Sequence, residues 1–476
     1  MHWAGAVSLG GSWSVVRFAF GGGSLLALAT LAFASDPAVA QTIQEEGGRI
    51  PGVPTESIAT SLPKGLADPG GVRSRLDKYG IQLGLNYIGE VLGNPTGGFK
   101  QSTHFDGRLE LWVDIDMEKM IGWKGLNFFA NGYQIHGTSI SAANLGVLMP
   151  VSFIEALPAT RLLEMFFDQK LFNDKVSIRF GQQAVDSEFI LSEGGGAFLN
   201  ATWGWSSISA ADTPNGGPAY PLSTPGVRIA VNPNDNFGLM VGVFNADPAP
   251  DCPPDKDPQL CNPHGLEFPV DGPPLLMAEG AYKYNKGAGQ LPGTVKVGGW
   301  YQWGDFEHPR FDRDGGLIAI SAADPRIIDG NYGLYAIIDQ MIYRLPGDGD
   351  PKGISIFSRV IGAPSDRNLI DIYWEAGLTF FGMMPSRPHD ILGIGFVYTG
   401  ISNQVSAFQR DSGESIISDY EALLEIAYTA EIVPGWTVQP DFQYFWNPGG
   451  RVPDPDDPAQ AVPNAAVLGL RTTIKY

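Results

Sequence analysis

The chain ends in "VLGLRTTIKY", residues 467–476, and the reading of that stretch decides the fold. Leu468, Leu470, Thr472, Ile474 and Tyr476 share one parity, while Gly469, Arg471, Thr473 and Lys475 share the other. Side chains alternate faces along an extended strand, so one face here is largely apolar and the other small, hydroxylated or basic. A soluble sheet would turn the apolar face inward; a membrane barrel would turn it toward lipid. The stretch alone leaves both open.

The same alternation recurs upstream. "KVSIRFGQ" (175–182) sets Val176, Ile178 and Phe180 against Lys175, Ser177 and Arg179, and "TPGVRIAV" (224–231) sets Val227, Ile229 and Val231 against Arg228. "LIDIYWEAGLTFF" (369–381) and "WTVQPDFQYFW" (436–446) repeat it with Asp371, Glu375, Gln439, Asp441 and Gln443 on the polar face. Each is close to the 9 to 11 residues that a tilted strand needs to cross a bilayer. Read throughout, the pattern predicts sixteen strands: 81–93, 106–118, 125–137, 161–172, 175–185, 224–232, 236–248, 275–285, 293–308, 331–345, 353–364, 369–381, 391–401, 419–433, 436–447 and 466–476. The third and tenth have ambiguous parity.

The connections separate the two readings. Those after even-numbered strands are mostly short: Asn173-Asp174, 233–235, 346–352 and Pro434-Gly435. Those after odd-numbered strands are mostly long: 138–160, 186–223, 249–274, 309–330, 402–418 and 448–465, with 365–368 as the exception. A soluble sandwich has no reason to sort its loops by parity, whereas an outer-membrane barrel does. The expectation is therefore an all-β fold, a 16-stranded antiparallel transmembrane β-barrel with short periplasmic turns and long extracellular loops. Its last strand pairs with its first, which puts Tyr476 in the aromatic girdle of the periplasmic rim. A terminal aromatic behind alternating apolar residues also resembles the signal read by barrel-insertion machinery.

Composition agrees: 61 Gly, 37 Pro and 11% aromatic residues, with only 17% charged against a usual quarter or so. Residues 1–40 read as a signal peptide, with Arg17 as positive flank, the apolar run "SLLALATLAFA" (24–34), and small Ala38 and Ala40 before Gln41. That run is too short for a spanning helix, which needs about 20 apolar residues. Residues 41–80 are expected as a periplasmic segment, tether or partial plug, with "GGVRSRLDKYG" (70–80) as a short helix presenting Val72, Leu76 and Tyr79 on one face. Residues 81–476 form the barrel. Arg17 and Asp36 cancel, so the net charge of −20 survives cleavage and argues against nucleic-acid partners and phosphate-type cargo.

Cys252 and Cys261, in a Pro/Asp-rich loop of an exported chain, are expected to form a disulfide; with only His264 near, they fall short of a metal site. There is no G-x-S-x-G and no H-E-x-x-H, so no enzyme is expected. "FDRDGG" (311–316) and "DPDDP" (454–458) read as acidic turns that lack a full calcium ligand set. By parity the lumen wall carries Glu110, Asp114, Glu164, Asp168, Lys170, Arg179, Arg228, Asp371, Glu375, Glu421, Glu425, Gln439, Asp441, Gln443 and Arg471. Such a mixed-sign surface exchanges hydrogen bonds with neutral, hydroxyl-rich solutes; an anion pore would want mostly Arg and Lys. The longest connection, 186–223, holds Phe198, Trp203, Trp205 and Tyr220, too aromatic for disorder. Folded inward, it narrows the pore and presents rings to sugars, or its rings only pack it against the wall.

The runs "IEALPATRLLEMFFDQKLF" (154–172), "VSIRFGQQAVDSEFILSEGGGAFLNATWGW" (176–205) and "GGPAYPLSTPGVRI" (216–229), with "GLNYIGEVLGN" and "DGRLEL" upstream, resemble the carbohydrate-selective outer-membrane porins of two-membrane bacteria. The resemblance implies a sixteen-stranded barrel that passes glucose and related sugars by diffusion, commonly as a homotrimer, with no cofactor. One departure is Ser206, where the family often has proline after Gly-Trp; the stretch 251–274 is another. The expected constriction is Glu164, Asp168, Arg179, Gln182, Glu188, Asn200, Trp203 and Arg228. The expected function is passive diffusion of monosaccharides and similar small neutral solutes. A general or cation-preferring porin is the alternative that the negative charge favours, and a barrel enzyme or adhesin the alternative that long loops favour.

Overall fold

The computed structural model describes residue 54 and residues 56–347 and 352–476. Residues 1–40, expected as a signal peptide, residues 41–53 and most of the turn expected at 346–352 lie outside the described residues. Sixteen strands follow one another: β1 (Ile81–Thr96), β2 (Thr103–Asp116), β3 (Leu126–Gly137), β4 (Ala159–Leu171), β5 (Val176–Gln183), β6 (Thr224–Asn234), β7 (Phe237–Asn245), β8 (Pro274–Tyr284), β9 (Gly293–Asp312), β10 (Pro325–Arg344), β11 (Gly353–Gly362), β12 (Ile370–Phe381), β13 (Ile391–Ile401), β14 (Tyr420–Val433), β15 (Trp436–Trp446) and β16 (Ala465–Lys475). Each pairs antiparallel with its sequence neighbours, and β1 pairs with β16 to close the barrel. Closure removes every free strand edge.

The wall is apolar outside. On β16, Leu468 and Leu470 are 56% and 51% exposed while Arg471 and Thr473 are each 1% exposed. The same division holds on β12, where Trp374 faces out and Tyr373 and Glu375 are buried inside. Outward apolar residues can be this exposed because lipid, rather than water, covers them.

Two elements depart furthest from the expected boundaries. β9 and β10 run on as a long hairpin that shortens the loop expected at 309–330 to 313–324. β10 had ambiguous parity because both its faces are apolar: Leu334 and Ile342 point out, while Tyr335, Ile337 and Met341 are buried against the interior. Bulges at Asp329/Asn331 and Met341/Tyr343 add to the confusion. The third strand is blurred by a bulge opposite β4 at Asn131/Gly132.

The interior is not an empty cylinder. The connections β3–β4 (138–158) and β5–β6 (184–223) fold inward, and their Leu145, Met149, Val151, Phe189, Phe198, Leu199, Trp203 and Ile208 join wall residues Tyr335, Phe357, Tyr373, Leu423 and Phe445 in one buried apolar cluster. At the periplasmic rim, residues 57–80 dock beside the closing seam. The Tyr476 hydroxyl donates to the Leu66 carbonyl at 2.5 Å, and Ser61 Oγ donates to the Pro434 carbonyl at 3.3 Å. A helix forms at Val72–Asp77, but Val72 and Tyr79 are exposed; the contact is instead made by Arg73, whose guanidinium lies 4.9 Å from the Tyr476 ring centre.

Candidate functional site

Strand register builds the centre of the site. Asp168 on β4 faces Arg179 on β5, and Arg179 faces Arg228 on β6. Two guanidiniums directly opposite each other would repel. Asp168 offsets them from the wall, with Oδ2 3.2 Å from Arg179 Nε and 3.3 Å from Arg228 Nη2. Glu188 offsets them from the inward loop, with Oε1 3.3 Å from Arg179 Nη1 and 2.6 Å from Arg228 Nη2. Ser177 Oγ completes the ring, donating to Asp168 Oδ1 at 2.5 Å and accepting from Arg228 Nη1 at 2.6 Å. Arg179 also lies over the Phe166 ring at 4.0 Å.

Burial pushes the Glu188 carboxyl up, but the two guanidiniums beside it outweigh burial and hold it below the usual range. The side chains of Arg179 and Glu188 keep 13% and 10% exposure, against 4% for Arg228 and 6% for Asp168. Those two are therefore the members that present charge-assisted donors and acceptors to whatever enters the lumen.

Glu164 takes a different part. Its Oε1 accepts from the Ala184 amide at 3.2 Å and from Ser187 Oγ at 3.3 Å, fixing the turn Val185–Ser187 that delivers Glu188.

Three expected constriction residues lie elsewhere. Trp203 is only 2% exposed, stacked on Phe198 at 4.4 Å, with Nε1 donating to Glu425 Oε2 at 2.6 Å. Its faces are covered, so it packs the loop and offers no platform to a sugar. Asn200 is spent on Gln443 Oε1 at 3.0 Å and the Met149 carbonyl at 3.1 Å. Gln182 stands opposite Met165, on the face opposite Arg179, and donates to the Ser223 carbonyl at 3.1 Å. An inward loop needs its backbone polar groups satisfied, and that demand consumes these side chains.

The same demand explains part of the expected lumen polarity and enlists wall residues beyond it. Glu425 accepts from the Leu199 amide at 2.5 Å, Glu421 from Leu148 and Met149 at 2.9 Å each, and Asp339 from Gly194 at 3.0 Å. Arg359, fully buried and paired with Glu375 at 2.6 Å, donates to the carbonyls of Ile190 at 2.6 Å and Thr202 at 2.7 Å. Gln439 and Gln443 donate to Ala197 and Val151 carbonyls. Ser206, the departure from the family pattern, accepts from Ser209 N and caps the helix Ser207–Asp212.

A second polar group was missed because its members are far apart in the chain. Arg108 on β2 lies over Tyr133 at 4.5 Å, Tyr220 at 5.1 Å and Phe153 at 5.4 Å. Its Nε and Nη2 have no protein acceptor among the described residues, and Asp106 Oδ2, two residues away on the same face, has no protein donor among them. Arg471 shares Phe153 at 4.3 Å and pairs with Glu90. Only the run "DGRLEL" signalled this region in the sequence. At the rim, Cys252 and Cys261 are joined by a disulfide with Cα atoms 5.6 Å apart. Asp312 folds "FDRDGG" as an acidic turn, accepting from the Asp314 and Gly316 amides and Ser321 Oγ.

The sequence matches the family described as carbohydrate-selective porin, OprB family, over residues 100–476. It is 25% identical over 431 residues to Porin B of Pseudomonas aeruginosa, covering 85% of this chain and 90% of that one. It is 21% identical to the putative porin QuiX of Acinetobacter baylyi, over 86% of this chain and 92% of that one. Among solved structures, the high-pH structure of Pseudomonas putida OprB superposes with a TM-score of 0.75 at 22% identity, over 86% of this chain and 97% of that one.

Proposed function

The chain belongs to the carbohydrate-selective OprB porin family of the Gram-negative outer membrane, and on that premise we propose that it passes monosaccharides and similar small neutral solutes by passive diffusion. The observation that carries this reading is the Asp168, Arg179, Glu188 and Arg228 quartet, whose formal charges cancel while Arg179 and Glu188 stay open to the lumen. A neutral solute with adjacent hydroxyls can accept from the guanidinium and donate to the carboxylate without bringing a counter-ion. Neither interaction is covalent, and binding must be weak enough for release.

Single-channel conductance in planar bilayers, titrated with glucose, maltose and an uncharged polyol of similar size, tests the reading. Saturable block by glucose alone supports a sugar site; a common, viscosity-like fall in conductance refutes it. The net charge of −20 favours a second reading, a cation-preferring general pore. That pore would give a salt-gradient reversal potential of cation sign and no block by sugar.

A further inference from the structure

On the lumen face of β2 an indole ring is left partly open. Trp112 pairs with Gly84 on β1 and Asn131 on β3, and residues paired across strands share a face. Asn131 is buried inside the barrel, where Nδ2 donates to Glu110 Oε1 at 2.9 Å, while Leu111, next to Trp112, is 57% exposed on the outer face. Trp112 therefore points inward. Gly84 makes room for it, because a Cβ there would come within 2.2 Å of the indole Cε2 and Cζ2 and 2.5 Å of Nε1.

The other inward indoles are covered. Trp203 is 2% exposed beneath Phe198, and Trp300 on β9 is 6% exposed. Trp112 keeps an intermediate exposure, and among the described residues no ring stacks on it, no cation covers it and no acceptor holds its Nε1. Its open surface lies on the lumen side, away from lipid.

Aromatic wall connects this ring to the charged quartet. Phe129 on β3, diagonal to Trp112, lies 5.2 Å from the Phe166 ring, and the Arg179 guanidinium lies 4.0 Å over Phe166. Trp112 and Arg179 also stand at similar depth, four residues before the end of β2 at Asp116 and three after the start of β5 at Val176. The next inward residue of β2 is Asp114, partly exposed, whose two oxygens accept from Asn127 Nδ2 at 2.9 and 3.0 Å and keep lone pairs for further donors.

We propose that Trp112 and Asp114 form a second sugar subsite beside the quartet, an inference that rests on the reading of the pore as a passage for sugars. A pyranose ring carries several C–H groups on one face, and the negative face of an aromatic ring attracts them. Asp114 accepts from a hydroxyl at the sugar's edge. An open-chain polyol offers hydroxyls but no rigid C–H face, so the indole favours glucose over it where hydrogen bonds alone distinguish the two poorly. Phe129 and Phe166 line the step between the subsite and Arg179.

The test is glucose block of single-channel current in full-length barrels carrying Trp112→Leu or Trp112→Phe. Trp112→Leu keeps an apolar side chain without a ring face, and is expected to weaken glucose block about tenfold while the reversal potential stays in place, because no charge changes. Trp112→Phe, which restores a ring, is expected to recover most of the block. Unchanged block in Trp112→Leu overturns the subsite and leaves the passage of sugars standing; absence of glucose block in the unaltered barrel removes both. A loss that Trp112→Phe does not recover, or a moved reversal potential, assigns Trp112 to packing of the wall and also overturns the proposal. If Trp112→Leu fails to fold, the unaltered barrel labelled with fluorotryptophan decides. Glucose, and not the polyol, should saturably shift the fluorine resonance that Trp112→Phe removes, and a resonance that stays in place overturns the subsite.

Discussion

Arg228 is held by five polar contacts to Glu188, Asp168 and Ser177, and its removal should be felt electrically before it is felt structurally. Arg228→Ala leaves Asp168 and Glu188 against a single guanidinium, so the reversal potential should move toward cation selectivity, and glucose block should weaken about tenfold because Glu188 loses the charge-assisted bonds that aim it at the lumen. Trp203→Ala should act differently. It removes a buried indole, which costs about 3–5 kcal/mol, so a lowered unfolding temperature is expected without a sugar-specific change. The inward loops also carry titratable groups. Burial raises Asp186 to about 6 and Glu155 to about 7. Both folded values lie above the ordinary carboxyl range, so the stabilisation they represent is present at acid pH and is lost as pH rises through those values. Glu188 has the opposite sign and loses its contribution only at more acid pH. Channel noise should therefore increase from about pH 5 to about pH 8, and Asp186→Asn with Glu155→Gln should flatten the dependence in single-channel records. Legibility at this scale was mixed. The parity of "KVSIRFGQ" and "TPGVRIAV" placed Arg179 and Arg228 on one face, as the register shows. Parity gave no hint that Trp203 would be covered, because its neighbours Phe198 and Phe357 come from different elements.

Among elements, the β5–β6 connection shapes the lumen, and its hold is a set of wall carboxylates. Glu425 accepts from Leu199 N, Asn200 N and Trp203 Nε1. Glu425→Gln keeps size but loses charge and one acceptor, so the loop should loosen, with larger and more variable single-channel conductance. The N-terminal segment is expected to steady the seam. Deleting residues 57–78 removes the contacts to Tyr476 and Pro434, which should lower the temperature at which the folded band converts to the unfolded band in gel electrophoresis. The sequence marked this segment as a helix with an apolar face, whereas the rim is met by a cation over an aromatic ring. Strands were legible because period-two alternation is written in each one. The contacts of a loop come from residues more than a hundred positions away, as Arg359 with Ile190 and Glu425 with Leu199 show.

At the scale of the whole molecule, the chain is a membrane barrel, and residues 1–40, expected as a signal peptide, should be removed on export. Mass spectrometry of the exported chain is expected to find Gln41 as its first residue. A barrel without edges derives its architecture from local rules: alternating faces, an even number of strands, and short and long connections sorted by rim. Those rules act between neighbours in the chain, so "VLGLRTTIKY" and its counterparts sufficed to determine the strand number, the order and, outside the third and tenth strands, most of the lumen-facing parity. What only the tertiary structure decided is which lumen residues stay open. Two inward loops bring unsatisfied amides and carbonyls into the barrel, and burying them without partners would cost more than a wall carboxylate or guanidinium gives up by binding them. Glu421, Glu425, Gln439 and Gln443 are therefore taken by backbone, Glu375 by the Arg359 guanidinium that itself serves the loop carbonyls, and Arg179 and Glu188 remain open at the lumen. That choice depends on pairings between distant segments, which no periodicity in the sequence records.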